Sequence, residues 1–179
     1  MATVPTVTKQ SKKDLSFSKV VLHLHLDGSI RFPTLLELSL AHGTPLKGAK
    51  TVEELKKVLI THEPANLSKV LEAFDLFLPV VRGDKVAIER IAYEMCEDQA
   101  ANGVIYFEGH YSPHLLCLPG GELTTKGVEA VKRGFNRGEA KFGVKARSIM
   151  CCIRGLGQKL SNVASIALFT LGRVEERRK

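Results

Sequence analysis

Two histidines separated by one residue are the most informative side chains of the sequence. His23 and His25 lie within residues 20–26, where aliphatic residues occupy every second position. This period-two pattern predicts a β-strand, in which residues two apart project from one face about 6.6 Å apart. Two neutral imidazoles can then reach one ion at about 2.1 Å, the Zn–N distance in proteins. The pair indicates either two zinc ligands or ordinary polar side chains lining a barrel. The opposite, aliphatic face would comprise Val20, Leu22, Leu24 and Leu26.

Acidic residues follow the first two predicted strands. Asp27 comes two residues after His25, where the strand gives way to its loop, and the β-rich run 104–107 leads directly into Glu108. In parallel α/β barrels the reacting groups lie at the carboxyl ends of the strands. Asp27 and Glu108 are the carboxylates placed to point towards such a barrel mouth, and Glu108 is a candidate for a catalytic acid or base.

The elements that must position these residues alternate along the chain. The sequence predicts strands near residues 20–26, 104–109 and 146–152, with helical spacing of apolar residues between them. Strands alternating with helices predict a parallel α/β sheet. The predicted helices begin at Pro33, Thr51, Asn66, Asp84 and Thr124 or Thr125, and the third ends at Pro79.

Composition and charge exclude several classes of protein. The 179 residues are 44% hydrophobic and 25% charged, which is typical of a globular domain, and no apolar run approaches the ~20 residues of a membrane span. The first 19 residues lack the apolar core of a secretory leader. The net charge of +7 resides mainly at the ends, because residues 1–19 and 159–179 each carry +3. Basic ends around a nearly neutral body indicate solvated tails rather than a nucleic-acid groove.

The cysteines and the polar N-terminus complete the outline of the domain. The four cysteines include no C-x-x-C pair, which favours reduced thiols packed as small hydrophobes and a cytoplasmic location. Residues 1–18 are polar and are expected to be disordered. Residues 19–154 then form the folded domain, and residues 155–179 form a divergent basic tail.

Longer strings around these features resemble one family. The segment VVLHLHLDGSI at residues 20–30 is very similar to the opening of adenosine deaminases. The similarity continues in register to about residue 154 and covers about residues 18–154. Its further segments are LEAFD at 71–75 with FLP at 77–79, RIAYE at 90–94, VIYFE at 104–108, YSPHLL at 111–116, FGVKARSI at 142–149 and CC at 151–152.

The resemblance implies a zinc-dependent nucleoside aminohydrolase on a (β/α)₈ barrel. Such an enzyme converts adenosine or deoxyadenosine to inosine or deoxyinosine plus ammonia, in cytoplasmic purine salvage. By position, His23 and His25 would be zinc ligands and Asp27 would contact a ribose hydroxyl. Four residues align with the apolar helix that covers the family's purine pocket, although the same spacing also describes an ordinary core-facing helix: Leu67, Val70, Leu71 and Phe74.

Departures from the family pattern shape the remaining expectations. His110 stands where the family usually has a basic residue, so it is either a loop histidine or a substitute ligand. Four later features of the family have no counterpart in this sequence. They are a third zinc-ligand histidine, a Gly-Glu pair whose glutamate is the proton-transferring acid, a further histidine and a late pair of aspartates. The resemblance therefore implies an incomplete barrel of three strands, as in a truncated product, whose open sheet edge could pair with another chain. Weak zinc binding and no deaminase activity are expected. The alternative function is a catalytically silent fragment that binds a nucleoside or a partner.

Overall fold

A parallel three-stranded sheet with helices beside it forms the framework. The computed structural model describes residues 17–60, 67–116, 118 and 125–151. The strands, labelled in chain order, are β1 (Lys19–His25), β2 (Val104–Tyr111) and β3 (Lys145–Met150). The helices are α1 (Phe32–His42), α2 (Val52–Leu59), α3 (Leu67–Val81), α4 (Lys85–Ala101) and α5 (Thr125–Phe142). Short 3₁₀ turns follow β1 at Asp27–Ser29 and β2 at Pro113–Leu115.

The sheet has the order β1-β2-β3 and both pairings are parallel. Phe107 on β2 stands opposite Val21 on β1 and Ala146 on β3. Because the strands run the same way, their carboxyl ends meet at one edge of the sheet. The predicted α/β class, parallel pairing and three strands are therefore confirmed for the described part of the chain.

One face of the sheet is closed by α4 and α5. Phe107 and Tyr111 of β2 are buried there and pack with Ile91 and Met95 of α4 and Phe135 of α5 in a continuous apolar core. Phe107 and Phe135 meet edge to face at 5.6 Å between ring centroids. This core fixes which side of β2 faces the helices, and it leaves the other side to the polar residues of the site.

A second apolar cluster joins α1, α2 and α3. Leu35, Leu55 and Leu78, one from each of these helices, are buried in it. The predicted capping box at Thr51 is confirmed, because its hydroxyl accepts from Glu54 N and the Glu54 carboxylate accepts from Thr51 N. Asp84 caps α4 as predicted, accepting from the backbone of the first helical turn. The predicted cap Asn66 lies outside the described residues.

Two sequence-based expectations about local structure are wrong. Pro79 does not end α3, which continues to Val81. Proline removes a single backbone donor, and so close to the end of the helix the lost hydrogen bond disturbs little of the remaining structure. The expected aliphatic face of β1 is also interrupted: Val20 and Leu22 are 57% and 61% exposed, whereas Val21 and Leu24 pack against the core. A register shift between Val21 and Leu24 breaks the strict alternation.

Charged side chains tie α1 and the turn before it to α4. Arg31 donates through Nε and Nη2 to the Asp98 carboxylate at 2.7–3.1 Å and through Nη2 to Glu97 at 2.8 Å. The Thr34 hydroxyl donates to the buried Glu94 carboxylate at 2.7 Å. These contacts fix the turn that carries Asp27. None of the helices in the described part of the chain has the length and apolarity to span a bilayer.

Close approach of α4 and α5 depends on glycines of α5. A Cβ at Gly134 would collide with the Glu89 carbonyl and the Ala92 Cβ, whereas a Cβ at Gly127 would meet nothing within 4 Å. Alanine is favoured over glycine in a helix interior by about 1 kcal/mol. The two positions therefore separate the effect of helix propensity from the effect of packing.

We expect Gly134→Ala to lower the free energy of unfolding by roughly 1–3 kcal/mol, because the added methyl forces the helices apart. The matched control Gly127→Ala should leave stability unchanged or raise it by up to about 1 kcal/mol. Urea unfolding followed by circular dichroism measures both. A Gly134→Ala protein as stable as Gly127→Ala would contradict the close packing of α4 and α5.

Candidate active site

Three imidazoles gather at the carboxyl ends of β1 and β2. The Nε2 atoms of His23 and His25 lie 3.2 Å apart. The ring of His110, from β2, stacks on that of His23 with centroids 4.2 Å apart and planes inclined by 20°. The His25 and His110 centroids are 5.8 Å apart. The sequence placed His23 and His25 on one face, and the structure brings their nitrogens together there.

The separation of the two Nε2 atoms suits a small divalent cation. Two nitrogens bound to one tetrahedral zinc at about 2.1 Å would lie about 3.4 Å apart, close to the observed distance. Both side chains are exposed at the mouth of the strands, so an ion could reach them. Within residues 17–60, 67–116, 118 and 125–151, no group of three or more His, Cys, Asp or Glu side chains is arranged to hold a metal ion. The pair fits two of the ligands that a zinc ion requires.

Asp27 contacts His25 of this pair at Nδ1. It begins the turn after β1, is buried, and its Oδ1 atom lies 3.4 Å from His25 Nδ1 and accepts from Gly28 N at 3.1 Å. Burial raises the pKa of the Asp27 carboxyl, and the neighbouring His25 partly offsets that shift. A carboxylate at Nδ1 favours the tautomer whose Nε2 lone pair is available to a metal. Asp27 is thus placed to orient His25.

An apolar cavity of about 300 Å³ opens beside Asp27. Its volume lies at the lower end of the range for small-molecule pockets. Among the described residues that line it, Asp27 alone is charged. Phe74 of α3, one of the residues predicted to cover a purine pocket, belongs to the lining, whereas the side chains of Leu67, Val70 and Leu71 lie outside the described residues. The other lining residues are Gly28, Ile30, Phe32, Leu35, Leu59, Ala73 and Phe77.

The Glu108 carboxylate is engaged within β2. It accepts a hydrogen bond from the Tyr106 hydroxyl at 3.0 Å, and its neighbour on β3 is Arg147. The hydrogen bond to Glu108 raises the pKa of the Tyr106 hydroxyl. Along β2, Glu108 lies one residue before Gly109 and two residues before His110. The histidines cluster around His110. The arrangement gives Glu108 a structural partner, and its catalytic role stays a prediction.

Sequence reasoning missed the contacts of Cys151, the residue after β3. Its sulfur lies 3.7 Å from His110 Nδ1, and its backbone N–H donates to Tyr111 O at 2.8 Å. Cys151 is half-buried there, whereas Cys96 is buried in the core as expected, and burial raises the pKa of its thiol to about 12. Two cysteines at residues 151–152 were the available signal, but only the register of β3 shows that Cys151 faces His110.

Comparisons with known proteins agree with the arrangement of these elements. The sequence model of the family described as Adenosine deaminase matches residues 18–176, which extends beyond residue 154, where the resemblance had been expected to stop. The adenosine deaminase of Danio rerio is 44% identical over 147 residues, and the match covers 76% of this chain and 41% of that protein. The chain thus spans about two fifths of the length of the curated relatives it matches.

Solved structures show the same fold. The N6-mAMP deaminase of Arabidopsis is 28% identical with a TM-score of 0.66, and the match covers 86% of this chain and 47% of that one. An amidohydrolase from Burkholderia ambifaria with bound Zn is 28% identical with a TM-score of 0.59, over 75% of this chain and 35% of that one. The three strands and their helices correspond to part of these larger proteins.

Proposed function

The chain belongs to the adenosine deaminase family, and from this premise we propose that it carries the metal-binding and purine-binding part of an adenosine deaminase site. The observation that carries the proposal is the convergence of the His23 and His25 Nε2 atoms, 3.2 Å apart, beside a cavity that begins at Asp27. The proposed reaction class is hydrolytic deamination of adenosine or deoxyadenosine in cytoplasmic purine salvage.

His23 and His25 would hold the zinc ion. When bound, zinc supplies a Lewis acid that makes water nucleophilic at neutral pH for attack on C6 of a purine. His25 offers Nε2 because Asp27 lies at its Nδ1. The apolar lining, including Phe74 and Phe77, would exclude water and contact the faces of the purine ring.

Asp27 would also bind the sugar. Its carboxylate is the charged group in the described lining of the cavity, and a carboxylate accepts hydrogen bonds from hydroxyl groups. Burial in this turn holds the carboxylate in one place. A purine lying against Phe74 with its ribose directed to Asp27 is consistent with the position proposed from the resemblance.

This 179-residue chain is proposed to bind a nucleoside without turning it over. The described residues provide two converging imidazoles, whereas catalytic zinc in proteins normally has three protein ligands and a water. Proton transfer by a positioned acid or base contributes about 10²–10⁴ in rate, and Glu108, the candidate for that role, is engaged by Tyr106. A nucleoside-binding fragment without turnover is the proposed behaviour of the isolated chain.

We expect zinc to bind the isolated chain with micromolar or weaker affinity, because two neutral imidazoles leave its charge largely uncompensated. Competition with a chromophoric chelator measures the dissociation constant. His23→Ala should abolish binding. His42→Gln should leave it unchanged, because the His42 ring nitrogens contact Val80 O and Asp84 rather than the histidine pair. Sub-micromolar binding that survives His23→Ala would place the metal elsewhere.

We expect the chain to bind adenosine and to produce no inosine above the background of zinc alone. Calorimetry measures binding, and the absorbance change from adenosine to inosine measures turnover in excess zinc. Ala73→Trp should abolish binding because the indole would fill the cavity. The matched control Leu40→Trp, at an exposed position of α1, should bind as the unmodified chain does.

Two results would contradict this proposal. Equal adenosine binding by Ala73→Trp and Leu40→Trp would show that the cavity is not the nucleoside site. Turnover within about a hundredfold of a full-length family member would contradict the absence of activity. If Glu108→Gln abolished that turnover, Glu108 would be the group that transfers the proton, because such a group contributes about 10²–10⁴ in rate.

Association through the sheet is a further part of the proposal. Val20, Leu22 and Ile105 are large apolar side chains exposed on β1 and β2, and β1 and β3 each have one neighbour among the described strands. Unpaired strand edges are templates for pairing with another chain. Light scattering should therefore show a mass that rises with protein concentration, and Leu22→Lys should reduce that rise. A concentration-independent monomer mass would contradict association.

A further inference from the structure

The direction of the His23 side chain is not set by a regular strand. Val21 stands opposite Phe107 and Leu24 opposite Gly109, so β1 contains one residue more than β2 over this stretch. Leu22 and His23, which would project to opposite faces of a regular strand, are both exposed. A bulge of this kind redirects side chains and releases them from the alternation of the ladder. The His23 ring is therefore positioned by its side-chain contacts rather than by the ladder of the strand.

His110 makes one of these contacts, and we infer that it is the residue that positions His23 for metal binding, an inference that rests on the proposed metal site. Its ring stacks on His23 at 4.2 Å between centroids. Its Nε2 atom lies 3.2 Å from the carbonyl oxygen of Leu22, inside the bulge. His110 therefore contacts both the irregular backbone of β1 and the side chain that the irregularity redirects.

The hydrogen bonds of His110 define its tautomer and its role. A carbonyl oxygen can only accept, so the proton must be on Nε2, which leaves Nδ1 facing Cys151 Sγ at 3.7 Å. Both ring nitrogens are thus directed to β1 and to the end of β3 rather than to the Nε2 atoms of the histidine pair. His110 acts through its ring face on His23 and is a positioning residue, not a metal ligand.

Preorganisation gives this contact its effect on affinity. The Nε2 atoms of His23 and His25 lie 3.2 Å apart, and a ring held at that distance lowers the ordering cost of binding an ion. Without the stacked ring, His23 would keep only its contact with His25 at an exposed bulge. Loss of residues that orient metal ligands typically lowers affinity 10–100-fold.

The test compares two substitutions at residue 110 by Co²⁺ binding, measured from the visible absorbance of the bound ion and by chelator competition. His110→Phe keeps a flat ring over His23 but cannot ligate a metal, and His110→Ala removes the ring. We expect His110→Phe to bind within a few-fold of the unmodified chain and His110→Ala to bind roughly 10–100-fold more weakly. Equal losses in both variants would show that a ring nitrogen of His110, and not its ring face, sets the affinity, and no loss in either would show that it has no role; both results overturn the inference.

A second measurement does not depend on the metal. Proton NMR of the metal-free chain should show a nuclear Overhauser effect between the His23 and His25 rings, which His110→Phe retains and His110→Ala loses, with circular dichroism unchanged. If the unmodified chain binds no Co²⁺ but this pattern is found, the proposed metal site fails and the positioning role stands. If the effect persists in His110→Ala, the positioning role fails even where His23→Ala shows that the metal site is correct.

Discussion

The hydrogen-bonded ladder on both sides of β2 is the constraint on which the site depends. β2 pairs in parallel with β1 and β3, and the ladder extends past the strand ends, because Leu26 N donates to His110 O and Cys151 N donates to Tyr111 O, each at 2.8 Å. These bonds bring residues 25, 110 and 151 to one edge although more than 120 positions of sequence separate the first from the last. Without β2 at the centre, the imidazoles of β1 would have neither their stacked neighbour nor a fixed backbone.

The helices contribute by deciding which face of the sheet is available for chemistry. Phe107 and Tyr111 face α4 and α5 and are buried, so the intervening residues Glu108 and His110 face the open side. The glycines of α5 allow α4 to lie close, and α4 in turn holds Arg31 through Asp98. Arg31 lies four positions after Asp27 in the sequence. The packing of the helices therefore affects the position of Asp27 through the Arg31–Asp98 ion pair and the short backbone segment between Asp27 and Arg31.

The site combines a polar edge with an apolar cavity, and each part has a different physical origin. The polar edge results from parallel pairing, which aligns the strand ends. The cavity lies where the turn after β1 meets the apolar cluster of α1, α2 and α3, and Phe74 lies 3.6 Å from the position of a Cβ at Gly28. Asp27 belongs to both parts, because its carboxylate approaches His25 and also lines the cavity. One buried carboxyl therefore belongs to both the proposed metal site and the proposed nucleoside site.

The sequence by itself determined the features that depend on neighbours along the chain. Periodicity and capping residues predicted the strands and most helix limits, as at Thr51 and Asp84, and the spacing of His23 and His25 predicted their shared face. Tertiary structure alone decided the bulge in β1, the stacking of His110 on His23 and the contact of Cys151 with His110. A local pattern specifies which residues alternate, but the register between strands is set by the combined packing of the whole sheet against its helices. The identity of the residues that could bind an ion was therefore readable from the sequence, whereas what holds them in place was not.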